Sequence, residues 1–221
     1  MPTALILGAS RGIGHELARQ YKQDAWRVIA TARKPEDVNK LSRLGAEAHQ
    51  LDVTSAESIA GLGWKLDDEK IDAAWLVAGL YGPHERFPSQ DEFDAVMHTN
   101  VLSAMRLIPV VAPLVANRRG KLAVLSSRMG SMSGRSSAGG SLYRASKAAL
   151  NSVLVDAALT WGPQGVTCVS FHPGWVRTDM GGSSAPLPVE QSVRELRATL
   201  AAAQPSANGS FLNHDGTPIP W

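Results

Sequence analysis

Cysteine occurs once among 221 residues, at Cys168. A single thiol cannot staple the chain, and its place in the apolar run Val166-Thr167-Cys168-Val169 marks it as a buried strand residue. Net charge is equally scarce. Twenty-two Lys and Arg face 20 Asp and Glu, leaving +2, so no strong field exists to recruit nucleic acid or an anionic membrane surface. No basic segment precedes the first apolar run, Ala4 to Leu7, and that run is too short for a secretory signal. The densest apolar stretch, Leu107 to Ala116, contains two prolines and falls below the roughly 20 residues a bilayer span needs. Paired metal-ligand spacing is missing too: His15, His49, His84, His98, His172 and His214 are scattered and read as structural or surface residues. The six tryptophans, without a basic patch beside them, read as core or interface rather than as a base-stacking platform. These absences leave the expectation of a cytoplasmic protein with no nucleic-acid, membrane or metal partner.

What is present is a large apolar fraction, 44% against 19% charged. That is enough to build one sizeable core, and the expectation is a single domain over residues 1–221. Short apolar runs alternate with helix-spaced segments along the chain. Strands are predicted at Ala4 to Leu7, Arg27 to Thr31, Ala46 to Leu51, Ala73 to Ala78, Lys121 to Ser126, Val166 to Phe171 and Gly209 to Leu212. Helices are predicted at Gly12 to Tyr21, Pro35 to Leu44, Ser55 to Leu66, Ser89 to at least Leu107, Leu142 to Trp161 and Val189 to Ala203. Ala73 to Ala78 is apolar on consecutive positions, as in a central strand buried on both faces. The fold class is therefore α/β: a Rossmann-type, doubly wound sheet of about seven mostly parallel strands with helices on both faces.

Gly8-Ala9-Ser10-Arg11-Gly12-Ile13-Gly14 joins the first strand directly to the first helix. Backbone N–H groups and the helix dipole at such a junction favour a pyrophosphate, which makes Gly8, Ser10, Arg11, Gly12, Ile13 and Gly14 candidate cofactor-binding residues. The second strand ends Ala30-Thr31-Ala32-Arg33 with no carboxylate to hold a ribose 2′-hydroxyl. Arg33 and Arg11 could instead pair with a 2′-phosphate, so NADP(H) is preferred while NAD(H) stays open; the competing reading is two solvated surface arginines.

Tyr143 and Lys147 open a predicted helix four residues apart and so share one face. A neighbouring ammonium would stabilise phenolate and bring the tyrosine toward the working range, letting Tyr143 exchange a proton with a carbonyl or alcohol oxygen. Ser127, at the end of Val124-Leu125-Ser126-Ser127, is the hydroxyl expected to hold that oxygen.

The glycine cluster, Ser127, Tyr143-x3-Lys147 and Pro173-Gly174 together resemble the short-chain dehydrogenase/reductase family over essentially the whole chain. The resemblance implies that Ser127 anchors the substrate oxygen, Tyr143 is the acid/base, Lys147 binds ribose and lowers the tyrosine pKa, and Asn100 helps to hold a proton-relay water. It also implies cofactor contacts at Asp52, Val53, Ala78, Gly79, Pro173, Gly174, Val176 and Thr178, besides Tyr143 and Lys147. Asp179-Met180-Gly181-Gly182 and the close from Gly209 to Trp221 are similar to the C-factor and sniffer-type carbonyl reductases. Two departures stand out: the family's threonine before the first glycine is Leu7, and its Asn-Asn-Ala-Gly is Leu76-Val77-Ala78-Gly79. If Leu7 and Leu76-Val77 adjoin, one polar contact has been exchanged for an apolar one.

The expected activity is hydride transfer between NADP(H) and a small aldehyde, ketone or alcohol; the alternative is a nucleotide-binding regulatory protein of the C-factor type. The substrate pocket would come from Gly130 to Gly140, Tyr81 to Phe87 and Gly181 to Pro188, the last expected to move on cofactor binding. Self-association as a homodimer or homotetramer is a further family expectation.

Overall fold

The computed structural model describes residues 1–82 and 87–221. Seven strands form one sheet: β1 (Thr3–Leu7), β2 (Arg27–Ala32), β3 (Glu47–Gln50), β4 (Ala73–Leu76), β5 (Lys121–Leu125), β6 (Thr167–His172) and β7 (Ser210–Asn213). Their spatial order is β3-β2-β1-β4-β5-β6-β7, and every neighbouring pair is parallel. The chain winds one way from β1 and then the other from β4, so the loops leaving these two strands diverge and open a crevice at their carboxyl ends. The α/β expectation holds throughout. The predicted strands over 46–51 and 73–78 are each shortened to four residues, because backbone at their ends turns into the loops that line the crevice.

Helices cover both faces. α1 (Gly12–Gln23), α2 (Pro35–Arg43) and α7 (Val189–Ala202) pack on one, burying Leu17, Tyr21, Leu41, Val193, Leu196 and Leu200 with Ile6, Trp75 and Phe171. The Trp75 indole donates to the Tyr21 hydroxyl at 3.0 Å, so the largest buried side chain carries no orphaned polar group. α3 (Ala56–Lys65), α5 (Ser103–Ala116) and α6 (Ser141–Trp161) cover the other face, meeting Leu5, Leu7, Leu76 and Val124 through Leu62, Leu107, Val111 and Leu150.

The segment predicted as one helix over 89–107 is longer and interrupted. α4 (Gln90–Met97) starts on a capping box between Ser89 and Glu92, passes into a π-helical turn at His98–Leu102, and continues as α5. Residues 90–116 are long and apolar enough to cross a bilayer by length and composition, contrary to the count made on the apolar run alone, and half of that stretch is buried in the protein. Pro109 and Pro113 do not break α5. The carbonyls they leave unpaired, those of Met105 and Pro109, belong to exposed positions where water can satisfy them.

Leu7 and Leu76 are direct partners in the β1–β4 register and lie in the same buried cluster. The Val77 and Ala78 N–H groups both donate to the Leu7 carbonyl, while the Val77 side chain joins the cluster on the opposite face. Leu7 and Leu76 thus form one apolar contact, while Val77, whose side chain faces away, is not part of that exchange. Leu7→Thr and Leu76→Asn should each cost about 2–4 kcal/mol in denaturant unfolding, since each buries a polar group beside a leucine. The double variant should fall short of the sum by about 1 kcal/mol or more, and strict additivity would show that the positions are not coupled.

Candidate active site

The glycine-rich loop is shaped by close approach. Gly8 has φ +98°, and a Cβ there would lie 2.8 Å from the Ala78 nitrogen, so β1 and β4 can adjoin at the crevice only with glycine at this point. A Cβ on Gly14 would fall 2.1 Å from the Gly8 carbonyl, which is why Gly14 sits beneath the loop rather than in the crevice wall. Thr31, at the end of β2, accepts a hydrogen bond from the Gly8 N–H at 3.1 Å and fixes the loop from the side. Only the folded sheet brings that threonine there.

The crevice is a cavity of about 380 Å³ that runs from the tip of β2 to the first turns of α6. Among the candidate residues it gathers Gly8, Ser10, Arg11, Gly12 and Ile13 from the glycine loop, and Arg33, Asp52 and Val53 from the next two strand ends. Ala78, Gly79, Tyr143, Lys147, Pro173 and Thr178 line it as well. Gly174 and Val176 stand behind the wall. Gly174 packs against Leu187 and His214, and Val176 is buried in a bridge with Leu187. Asp179 and Met180, from the C-factor-like segment, also line the cavity, as do Leu51, Thr54, Leu80 and Thr99, which carried no recognisable motif.

Two of the charged candidates already have partners. The Arg11 guanidinium meets the Asp179 carboxylate at 2.9 Å, joining the glycine loop to the segment after β6. Both side chains are about three-quarters exposed (75% and 72%), so the pair is weak and a phosphate can compete for the arginine. Asp52 accepts from the Thr54 hydroxyl and N–H, and those bonds, with the Arg33 charge nearby, hold its carboxyl below the usual range.

At the inner end lie the expected catalytic groups. Ser127 caps a 3-10 turn, Arg128–Gly130, by accepting from the Met129 N–H at 3.2 Å. Its side chain stands near the Tyr143 phenol and works to lower that group's pKa. Its neighbour Ser126 instead donates to the Lys147 carbonyl, at 3.4 Å. Tyr143 and Lys147 lie on the same face of α6, with the ammonium 5.6 Å from the ring centroid and donating to the Leu125 carbonyl at 2.8 Å.

The expected lowering of the tyrosine pKa by the lysine is not what this arrangement produces. Burial dominates for both groups: it pushes the Tyr143 phenol up to about 12, against the opposing influence of Ser127, and pushes Lys147 down to about 8. Tyr143 is therefore protonated near neutrality, and a weaker acid than an ordinary phenol while no ligand is bound.

Asn100 also differs from expectation. Its amide donates to the Leu80 carbonyl at 2.8 Å and to the Ser146 hydroxyl at 2.9 Å, while its Oδ1 accepts from the Leu80 N–H at 2.7 Å. Both amide hydrogens are spent on protein, so the side chain clamps the β4 loop to α6. Ser146, which donates in turn to the Tyr143 carbonyl at 2.8 Å, completes the clamp. It had no signal of its own in the sequence.

The expected pocket segments surround this end. The segment 181–188 folds back on 175–177 through Leu187 N–H to Trp175 and Arg177 N–H to Leu187. The loop after Gly130 is held by the Met132 and Ser133 N–H groups donating to the Trp221 carbonyl. Residues 83–86 of the third segment, His84 included, lie outside the described residues.

A parallel sheet with a phosphate-sized glycine loop at its reversal, and a Ser–Tyr–Lys constellation at the far end of the same crevice, defines a dinucleotide-dependent oxidoreductase. The chain matches the short chain dehydrogenase family over residues 2–186 and belongs to it. It is 32% identical to the 1-hydroxy-2-glutathionyl-2-methyl-3-butene dehydrogenase of Rhodococcus sp. strain AD45, over 100% of both chains. It is 37% identical to C-signal of Myxococcus xanthus over 55% of this chain and 74% of that one. Among solved structures, carbonyl reductase Sniffer of D. melanogaster superimposes with a TM-score of 0.92 at 28% identity, covering 100% of each chain. A carbonyl reductase of Pseudomonas aeruginosa PAO1 in complex with NADP gives 0.84 at 34%, again over 100% of each. The sniffer and C-factor resemblance read from the sequence agrees with these likenesses.

The buried lysine carries a stability consequence. Its pKa falls from 10.5 to about 8 on folding, so the folded chain binds fewer protons than the unfolded one between these values and loses stability as pH drops through them. Lys147→Met should stabilise the cofactor-free protein by roughly 2–3 kcal/mol at pH 7, with the gain vanishing above pH ~10.5. Thermal unfolding across that range reads it, and a destabilised variant would show that the ammonium is well solvated by its partners.

Proposed function

We propose that the protein is an NADP(H)-dependent carbonyl reductase that transfers hydride between the nicotinamide and an aldehyde or ketone. The observation that carries this reading is the meeting of buried Tyr143 and Lys147, with Ser127 beside the phenol, at the inner end of a crevice whose outer end is a glycine-rich loop. The cavity suits an extended dinucleotide: the glycine loop lines it, and Arg33 stands at the β2 tip with no carboxylate of its own strand beside it. When bound, the cofactor supplies the hydride.

This chain's residues do the rest. Gly8, Ser10, Arg11, Gly12 and Ile13 hold the pyrophosphate, with Gly14 providing the close packing beneath it. Arg33, joined by Arg11 when released from Asp179, pairs with the 2′-phosphate, and Asp52 and Val53 flank the adenine. Ala78, Gly79, Pro173 and Thr178 border the nicotinamide half, supported from behind by Gly174 and Val176. Ser127 donates to the carbonyl oxygen, and Tyr143, kept protonated by burial, delivers the proton. Lys147 holds the ribose and places positive charge beside the phenol, and Asn100 keeps Leu80 and α6 in position. Self-association through the helices is part of the same proposal, supported by the exposed Phe93, Met105 and Leu159.

The likeness to C-signal favours a second reading, a nucleotide-binding regulator with little turnover. Tyr143→Phe separates the two. It should lower kcat/KM for NADPH-dependent reduction by about 10³-fold or more while NADPH affinity stays within about threefold. NADPH binding without turnover in the wild type, over a panel of aldehydes, ketones and quinones, would favour the regulator.

Arg33→Ala should weaken NADPH binding by about tenfold or more, the loss of a charge-assisted contact, and leave NADH binding nearly unchanged. An equal loss for both cofactors would remove Arg33 from 2′-phosphate recognition.

A further inference from the structure

Tyr81 stacks on Tyr143. The ring centroids are 4.5 Å apart and the planes are 26° from parallel. We propose that Tyr81 is a specificity-determining residue that orients the Tyr143 ring and limits the thickness of the group attached to the reacting carbonyl; this rests on the carbonyl reductase reading.

Placement is the first argument. Leu80 and Tyr143 both line the dinucleotide crevice, whereas Tyr81, one residue on from Leu80, does not. Tyr81 therefore covers the catalytic ring from outside the cofactor's space, where the rest of a substrate would have to lie once its oxygen is held between Ser127 and Tyr143. The second argument is what Tyr81 reaches. Its hydroxyl is directed at the Met129 sulfur, 3.9 Å away, and lies 3.5 Å from where a Cβ on Gly140 would stand. Met129 is two residues past Ser127, and Gly140 precedes the first turn of α6, three residues before Tyr143. Tyr81 thus spans from the β4 loop to both ends of the loop over 130–140.

That span is anchored. Leu80 is pinned through its N–H and carbonyl to Asn100, so the residue beside it has a fixed starting point. A wall made of a phenol face and a thioether accepts flat, unsaturated groups by stacking and sulfur–ring contact, and resists substituents that stand out of the ring plane. Tyr81 also adds to the upward push on the Tyr143 pKa, in keeping with its closeness to the phenol. The proposed substrate class is a carbonyl conjugated to a planar apolar group.

The test uses benzaldehyde, flat next to its carbonyl, and cyclohexanecarbaldehyde, of similar size but with a puckered, thicker ring, on the full chain as wild type, Tyr81→Ala and Tyr81→Phe. Two ratios are read: kcat/KM with NADPH, and Kd by calorimetry with the protein saturated with NADP⁺, which has no hydride to give. Wild type should prefer benzaldehyde. Tyr81→Ala should shift both ratios toward cyclohexanecarbaldehyde by about tenfold or more, the scale on which a hydrophobic pocket discriminates a small change in substrate bulk. Tyr81→Phe, which keeps the stack, should preserve the wild-type preference. A shift below about threefold in Tyr81→Ala, an equal shift in Tyr81→Phe, or failure of both aldehydes to bind the NADP⁺-loaded wild type would overturn the proposal. Absence of turnover with the Kd ratios shifted as expected would instead count against the carbonyl reductase reading and leave the role of Tyr81 standing.

Discussion

The structure depends on the junction of β1 and β4. These strands are neighbours in space but belong to opposite directions of winding, and the Leu7 carbonyl accepts from both Val77 and Ala78 just where they separate. Gly8 must pass against Ala78 at this point with positive φ, which no side chain would permit without displacing backbone. The crevice, the orientation of the glycine loop and the start of the loop toward Leu80 all follow from that contact. Directly beneath it the Leu7–Leu76 pair replaces polar side chains by hydrocarbon, a substitution the site tolerates because neither partner is left with an unmatched hydrogen-bonding group.

From that junction the chemistry is organised by burial. Tyr143 and Lys147 are both almost wholly removed from solvent, with 7% and 3% of their surface exposed. Low polarity raises one pKa and lowers the other, so two groups whose ordinary values nearly coincide are driven apart by several units. The phenol keeps its proton, and the ammonium becomes a charge that folding must accommodate. A buried cation held by one strand carbonyl is not a stability device. Its place in the protein is explained by what it does for a ligand and for the tyrosine, which sets local stability against function.

The π-helical turn between α4 and α5 serves the same end. A regular helix over 90–116 would rotate every later residue relative to the sheet; the wider turn at His98–Leu102 lets Asn100 face Leu80 and Ser146 while α5 still presents Leu107, Val111 and Val115 to the core. Through Asn100 and Leu80 the turn also fixes the base from which Tyr81 extends over Tyr143. Core packing, loop position and the catalytic ring are thereby linked by direct contacts.

The sequence by itself determined the architecture, because consecutive apolar runs separated by helix-spaced segments have one economical solution, a parallel sheet covered on both faces. It also determined the glycine loop and the Tyr143–Lys147 spacing, since both are local patterns fixed by turn and helix geometry. The tertiary structure decided what depends on distant parts of the chain. Thr31 reaches Gly8 from another strand, Asp179 takes Arg11 from 168 residues away, and Ser146 joins Asn100 across two helices. The direction of each pKa shift was likewise decided there: spacing showed that an ammonium stands near a phenol, whereas the balance between that charge and desolvation is set by how much protein surrounds them both.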